Sequence, residues 1–211
     1  KTVFILISIS ISGCQSSYYS VMEMMGYHKR DIMVERVEDA QQSQQDAQKQ
    51  FQSALEQLSE LIQFEGGDLE QQYEETKDNY EASQEAADEV EKRIDDIEDV
   101  AIALFAEWQD EIEQYTNKDL QRRSEKQLAT TKHDYEQLIR SMDKAHSRME
   151  PVLAALKDNT LYLKHNLNAQ AIGAIADEFE TIKRDITVLM SVMNKAIEDS
   201  ESFIKMLEKK R

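Results

Sequence analysis

Residues that interrupt or cross-link a chain are scarce here. One proline and five glycines among 211 residues leave long stretches free of helix breakers. A single cysteine excludes an intramolecular disulfide. Aromatic residues make up 7%, too few large apolar groups for a thick globular core. Cations are outnumbered: 25 Lys and Arg face 42 Asp and Glu, for a formal charge of −17. That balance excludes generic nucleic-acid binding, which needs clustered cations to displace phosphate counterions. It also excludes a wholly basic membrane-coating surface. No phosphate loop of the form G-x-x-x-x-G-K-S/T or G-x-G-x-x-G occurs, and no zinc-binding H-E-x-x-H. His28, His133, His146 and His165 are too dispersed to read as a metal set. The acidic run Asp95-Asp96-Ile97-Glu98-Asp99 lacks the oxygen-rich loop that wraps Ca²⁺ and reads as a solvated helix face. No convergent acid, base and nucleophile appears, so a non-enzymatic chain without cofactor or metal is expected. What is abundant is Glu, Gln, Ala and Lys, the composition of long helices.

The lone cysteine has a context that accounts for it. Lys1 precedes an apolar run from Val3 to Ile11, and Ser12-Gly13-Cys14 follows. A cation, a short greasy stretch and small residues at a cut site are the parts of a secretory signal. The run is about half of the ~20 residues a membrane-spanning helix needs. Ile11-Ser12-Gly13-Cys14 resembles the bacterial lipobox, in which the cysteine thiol receives a diacylglycerol and becomes the mature N-terminus. Residues 1–13 are therefore expected to be a signal peptide, Cys14 the lipidation site, and 14–27 an anchor and short tether. Gln15 and Ser16, with no Asp after the cysteine, resemble the sorting pattern of the outer membrane. Several acyl chains on one residue, each buried CH₂ contributing ~0.8 kcal/mol, give stable anchoring.

From residue 28 onward the apolar positions recur at alternating steps of three and four. The stripes run Val37 to Leu61, Tyr73 to Tyr115, Leu128 to Leu156 and Ile172 to Leu207. A 3.5-residue repeat held this long indicates coiled-coil packing. Turns are expected at Glu65-Gly66-Gly67-Asp68, at Thr116-Asn117-Lys118-Asp119 and at Asn166-Leu167-Asn168, with Asp68, Thr116 or Asn117, and Asn168 as caps. Pro151 predicts a kink or local break. The fold class expected is all-α, an elongated antiparallel helical bundle or coiled coil of about four long helices, near 28–64, 69–115, 118–166 and 169–209. Folding at residues 66–67 sets Phe51 near Tyr80 and Ser83, Ala47 near Ala87, and Val37 near Ile97. Folding at 116–117 sets Leu104 near Leu128 and Ile97 near Tyr135. Charge supports that second fold, since Leu69–Tyr115 holds 17 acids and 3 bases while Lys118–His165 holds 10 bases and 7 acids. The first two stripes carry Gln44, Ala47, Ser83 and Glu111, whereas Ile139, Leu153, Val188, Ile197 and Ile204 widen the last two. The last two helices are thus expected to form the stable heart, and the Gly66 end a slim two-helix finger. Trp108 is expected to anchor the core near the second turn.

Two polar stretches stand out. Lys29 and Arg30, close to the anchor, are candidates for contact with lipid head groups, where each cation is worth ~1 kcal/mol. His165, Asn166 and Asn168 form a candidate interaction site in Leu163–Ala169. At these residues the sequence resembles an uncharacterised domain-of-unknown-function family of Gram-negative lipoproteins. The resemblance rests on Tyr18-Tyr19-Ser20 with Met22-Glu23, Gly26 with His28 through Ile32, Phe64 through Glu70, Met149 through Ala155, and Leu163 through Ala169. It covers nearly the whole mature chain. It implies an exported, helical, non-catalytic protein and brings no activity with it.

The expected role is a non-enzymatic outer-membrane lipoprotein that faces the periplasm as a coiled-coil scaffold, spacer or adaptor. Its expected partners are the membrane, through the N-terminal lipid, an envelope protein, and a second copy in a homodimer. Alternatives are a membrane-shaping helical dimer that binds head groups, recognisable by a concave basic face, and an activator of a cell-envelope enzyme.

Overall fold

The structure, a computed structural model, describes residues 28–64 and 66–209. Five helices follow one another: α1 (Lys29–Ile62), α2 (Leu69–Glu113), α3 (Lys118–Ser147), α4 (Met149–His165) and α5 (Ala169–Lys209). No strand occurs among the described residues. The fold is an all-α helical bundle.

The helix ends follow local chemistry. Gly66 and Gly67 adopt φ of 147° and 148°, a region that L side chains rarely enter. Asp68 then caps α2, its carboxylate accepting from the N–H groups of Glu70 at 3.0 Å and Gln71 at 3.3 Å. Asn117, rather than Thr116, caps α3 through the N–H groups of Asp119 and Leu120. Pro151 breaks the third long helix at Arg148. Lacking an N–H, it cannot donate to the Ser147 carbonyl, and its ring crowds that group. The Arg148 N–H instead bonds Ala145 O at 3.1 Å, a tightened last turn of α3, and α4 continues beyond it.

The helices form four columns, α3 and α4 sharing one. α1 packs on α2 and α5, and both α3 and α4 also pack on α2 and α5. Neighbouring columns run antiparallel. Between α1 and α2, the Gln57 amide donates to Thr76 Oγ1 and the Gln50 amide to Asn79 O and Ser83 Oγ, while Arg93 pairs with Asp39. This is the register expected from folding at residues 66–67. Between α1 and α5, the Gln48 amide reaches Met190 O and Asn194 Oδ1. Between α2 and α3, Trp108 Nε1 donates to Ser124 Oγ at 2.9 Å, in keeping with Leu104 level with Leu128. Tyr135 leans toward the turn. It packs edge-on to Phe105, with centroids 5.4 Å apart and planes at 75°, and lies beside Glu98, the residue after Ile97.

Nearly every stripe position is buried: all those named from Val37 to Leu61 on α1, and Ile172, Phe179, Ile186, Met193, Phe203 and Leu207 among others on α5. On α2 the stripe ends at Ile112, while Glu111 and Tyr115 are exposed. Val188 is exposed and Ile197 half-buried, so neither widens the seam as expected, whereas Ile139, Leu153 and Ile204 do.

The Gly66 end is not a two-helix finger. Phe51, Leu58 and Leu61 of α1 share one continuous core with Ile175, Phe179 and Ile182 of α5. A stripe poor in bulk is filled by bulky neighbours on the facing column, a compensation that each stripe read by itself conceals. The slim projection lies at the opposite end. Lys29, the first residue of α1, pairs with Glu107 of α2. The last turns of α2, from Glu107 to Glu113, therefore run about 9 Å past the start of α1, at ~1.5 Å per residue. There Trp108, Ile112 and Leu128 form a small separate core, with Phe105 at its junction. One end of the bundle thus holds the start of α1, the α2–α3 turn and the end of α5. The other holds the Gly66 and Asn166–Asn168 turns.

Candidate functional site

The expected lipidation site Cys14, the signal segment 1–13 and the tether 14–27 lie outside the described residues. The first placed residues of the candidate head-group site are bound into the protein. Lys29 Nζ sits 3.0 Å from Glu107 Oε1 with its side chain 11% exposed, and the Arg30 guanidinium lies 5.4 Å over the Trp108 ring. Both cations thereby tie the start of α1 to the α2–α3 projection. Their partners were within reach of the sequence register, because extending the Val37–Ile97 pairing by two turns brings Arg30 level with Leu104. Beside them is an open cavity of about 490 Å³ lined by His28, Trp108, Tyr115 and Ser124 among others.

The other candidate stretch resolves mostly into helix-end chemistry. Asn168 caps α5 as expected, its Oδ1 accepting from Gln170 N at 2.9 Å and Ala171 N at 3.2 Å. Asn166 ends α4: its N–H bonds Leu163 O and its side-chain amide donates to Tyr162 O at 2.9 Å. His165 is exposed in the last turn of α4, where a cation complements the helix dipole. The apolar surface around this turn is unusually open, with Leu161, Tyr162 and Leu167 all more than two-fifths exposed.

Sequence reasoning missed Asn159. It continues the Val152–Leu156 stripe toward Leu163 and is 4% exposed, yet its Nδ2 has no hydrogen-bond partner. A polar residue at a three–four step was the available signal. Gln44 sends the same signal on α1. It is fully buried and neither amide atom is partnered.

A third cluster lies between α2 and α3. Partial burial, then the charges of Asp143, Asp95 and Asp99, raise the Glu98 carboxyl above its ordinary value. Burial also raises Asp143, helped by Asp95 and opposed by His146. Tyr135, half-buried beside Glu98 and Asp143, is pushed up to about 12. Two facing carboxylates make this seam repulsive at neutral pH. Among the described residues, no group of three His, Cys, Asp or Glu side chains is placed to hold a metal ion, and no helix is long and apolar enough to cross a membrane.

No curated protein and no solved structure matches the chain. A family model does match, over residues 18–207, and its description is "protein of unknown function (DUF2959)". The match spans all five helices and both candidate polar stretches, and the chain belongs to that family.

Proposed function

We propose that the chain is a non-enzymatic lipoprotein, held at the outer membrane through Cys14, whose bundle acts in the periplasm as a spacer or adaptor. The observation that carries this reading is Ile11-Ser12-Gly13-Cys14 following a short apolar run, in a chain whose remaining length is committed to a rod. The geometry adds a polarity to it. Residue 28, where the chain leaves the tether, shares an end with the α2–α3 projection. The Asn166–Asn168 turn and its exposed apolar residues lie at the other end, roughly one helix length away. A protein anchored at Cys14 presents that far end to a partner.

A second reading, contact of the projection with the lipid surface, is favoured by one feature. Tyr115 and Leu120 are exposed at its tip, and Lys118, Arg122, Arg123 and Lys126 follow on α3. Arg122 is paired with Asp119, and the adjoining end of α2 is acidic, which weakens any pull toward anionic lipid. Crosslinking in intact cells from photoreactive residues at positions 161 and 120 separates the two. Protein adducts at 161 are expected. Lipid adducts at 120 with none at 161 would favour the membrane-shaping reading instead.

A further inference from the structure

The α4–α5 groove near the Asn166 end holds a cavity of about 270 Å³, lined by Asp158, Asn159, Tyr162, Ala174, Ile175 and Glu178. Its origin is visible in the sequence. Opposite Asn159 and Tyr162, α5 contributes the small Ala174, which leaves the space between the two helices unfilled.

The lining has a definite chemistry. At the floor is Asn159, nine-tenths buried and more, whose Nδ2 donor is unpartnered. A buried N–H of this kind calls for an acceptor oxygen. At the mouth, Asp158 and Glu178 are exposed carboxylates that form no ion pair among the described residues. Beside them stands the ring of Tyr162, 41% exposed. Two carboxylates and an aromatic face suit a guanidinium or ammonium group. The amide donor suits a carbonyl a few ångströms away. A bare metal ion meets only half of this, since an amide N–H repels a cation.

We propose that this cavity receives an arginine or lysine side chain of a partner polypeptide. The cation lies between Asp158 and Glu178 over Tyr162, and the Asn159 amide, closed off in the free protein, turns toward the cavity so that Nδ2 donates to a backbone carbonyl of the same segment. The proposal names the partner chemistry of the adaptor reading and rests on that reading for the partner's existence. The cavity's preference is testable without it.

The full chain, labelled with ¹⁵N, is titrated with blocked tripeptides, Ala-Arg-Ala and Ala-Glu-Ala, while the Asn159 side-chain NH₂ signal is followed. The arginine peptide is expected to shift that signal saturably in the millimolar range, and the glutamate peptide to leave it in place. Asp158→Asn with Glu178→Gln, both at exposed positions, is expected to weaken binding by about tenfold or more. Asn159→Leu tests the donor, with circular dichroism to verify the fold. If it fails to fold, Tyr162→Leu replaces it and is expected to weaken the arginine peptide severalfold. An unmoved signal with every peptide, equal binding of both peptides, or full affinity in the carboxylate variant overturns the proposal. Peptide binding in vitro without protein adducts at position 161 in cells would leave the cavity assigned and overturn the adaptor reading alone.

Discussion

Gln44 is the least satisfied side chain in the core, and replacing it tests the packing account closely. It is 0% exposed and neither Nε2 nor Oε1 has a partner, while its neighbours along the stripe are Ala40 and Ala47. Leaving a buried donor or acceptor unsatisfied costs ~1–3 kcal/mol per group. Methionine has nearly the length and volume of glutamine, so Gln44→Met keeps the shape and removes both unsatisfied atoms. Refitting a volume-conserving change costs under ~1.5 kcal/mol. The net expectation is a gain of about 2 kcal/mol, which for a chain of this size raises Tm by roughly 4–8 °C. Urea unfolding at constant m-value, followed by circular dichroism, measures it. A loss of stability would refute the reasoning, because it would mean that the amide makes hydrogen bonds in the folded protein. In that case Gln44→Ala would be costlier still, because it adds a cavity to the lost bonds.

Four further outcomes follow from other parts of the bundle. Glu98 and Asp143 have folded-state values raised above their ordinary ones, so their protonated forms are favoured in the fold. Their contribution is present at acid pH and is lost as pH rises through the raised values. Glu98→Gln is therefore expected to stabilise the protein at neutral pH by less than about 1 kcal/mol, since the group is exposed, and to leave stability unchanged well below the carboxylate range. A destabilised Glu98→Gln at neutral pH would contradict the repulsive seam. Gly173→Ala, with open space at the added Cβ, is expected to gain ~0.5–1 kcal/mol in thermal unfolding. Gly67→Ala is expected to lose ~1–3 kcal/mol, because it must hold φ near +148° with its Cβ 3.0 Å from the Phe64 ring. Trp108, the one tryptophan, reports on the α2–α3 projection. Leu128→Ala is expected to red-shift its emission on heating before the helical signal falls, and coincident transitions would show that the small core is not separate.

The columns were legible because their stripes are regular. Val37 through Leu61 and Ile172 through Leu207 read directly as buried faces, Asp68 and Asn168 as caps, and Asn117 as one of two candidates beside Thr116. Pro151 marked its break within three residues. What misled was bulk. Gln44 and Ala47 made the first column look thin, although a small residue on one column is filled from the next. Projection at the opposite end depends on where helices start relative to each other, as the Lys29–Glu107 pair shows, and single stripes do not encode that. Glu111 and Tyr115 kept the three–four step, whereas burial passes from Trp108 to Ile112, which the stripe had left out. The candidate sites were half legible. Asn166 and Asn168 stood out by composition yet serve helix ends, whereas Asn159 was hidden in a stripe that reads as core. Its significance needs the gap beside Ala174, which is a property of two helices together.

The proposed anchor at Cys14 decides whether the two ends of the bundle have the meanings given to them. The direct test is the intact mass of the chain expressed in a Gram-negative bacterium, combined with membrane fractionation, with Cys14→Ser alongside. The account predicts a mature protein that begins at an acylated Cys14 and sediments with the outer membrane, and a Cys14→Ser variant that carries no lipid. An unacylated chain that retains residues 1–13, or a soluble one with Cys14 unmodified, would contradict it.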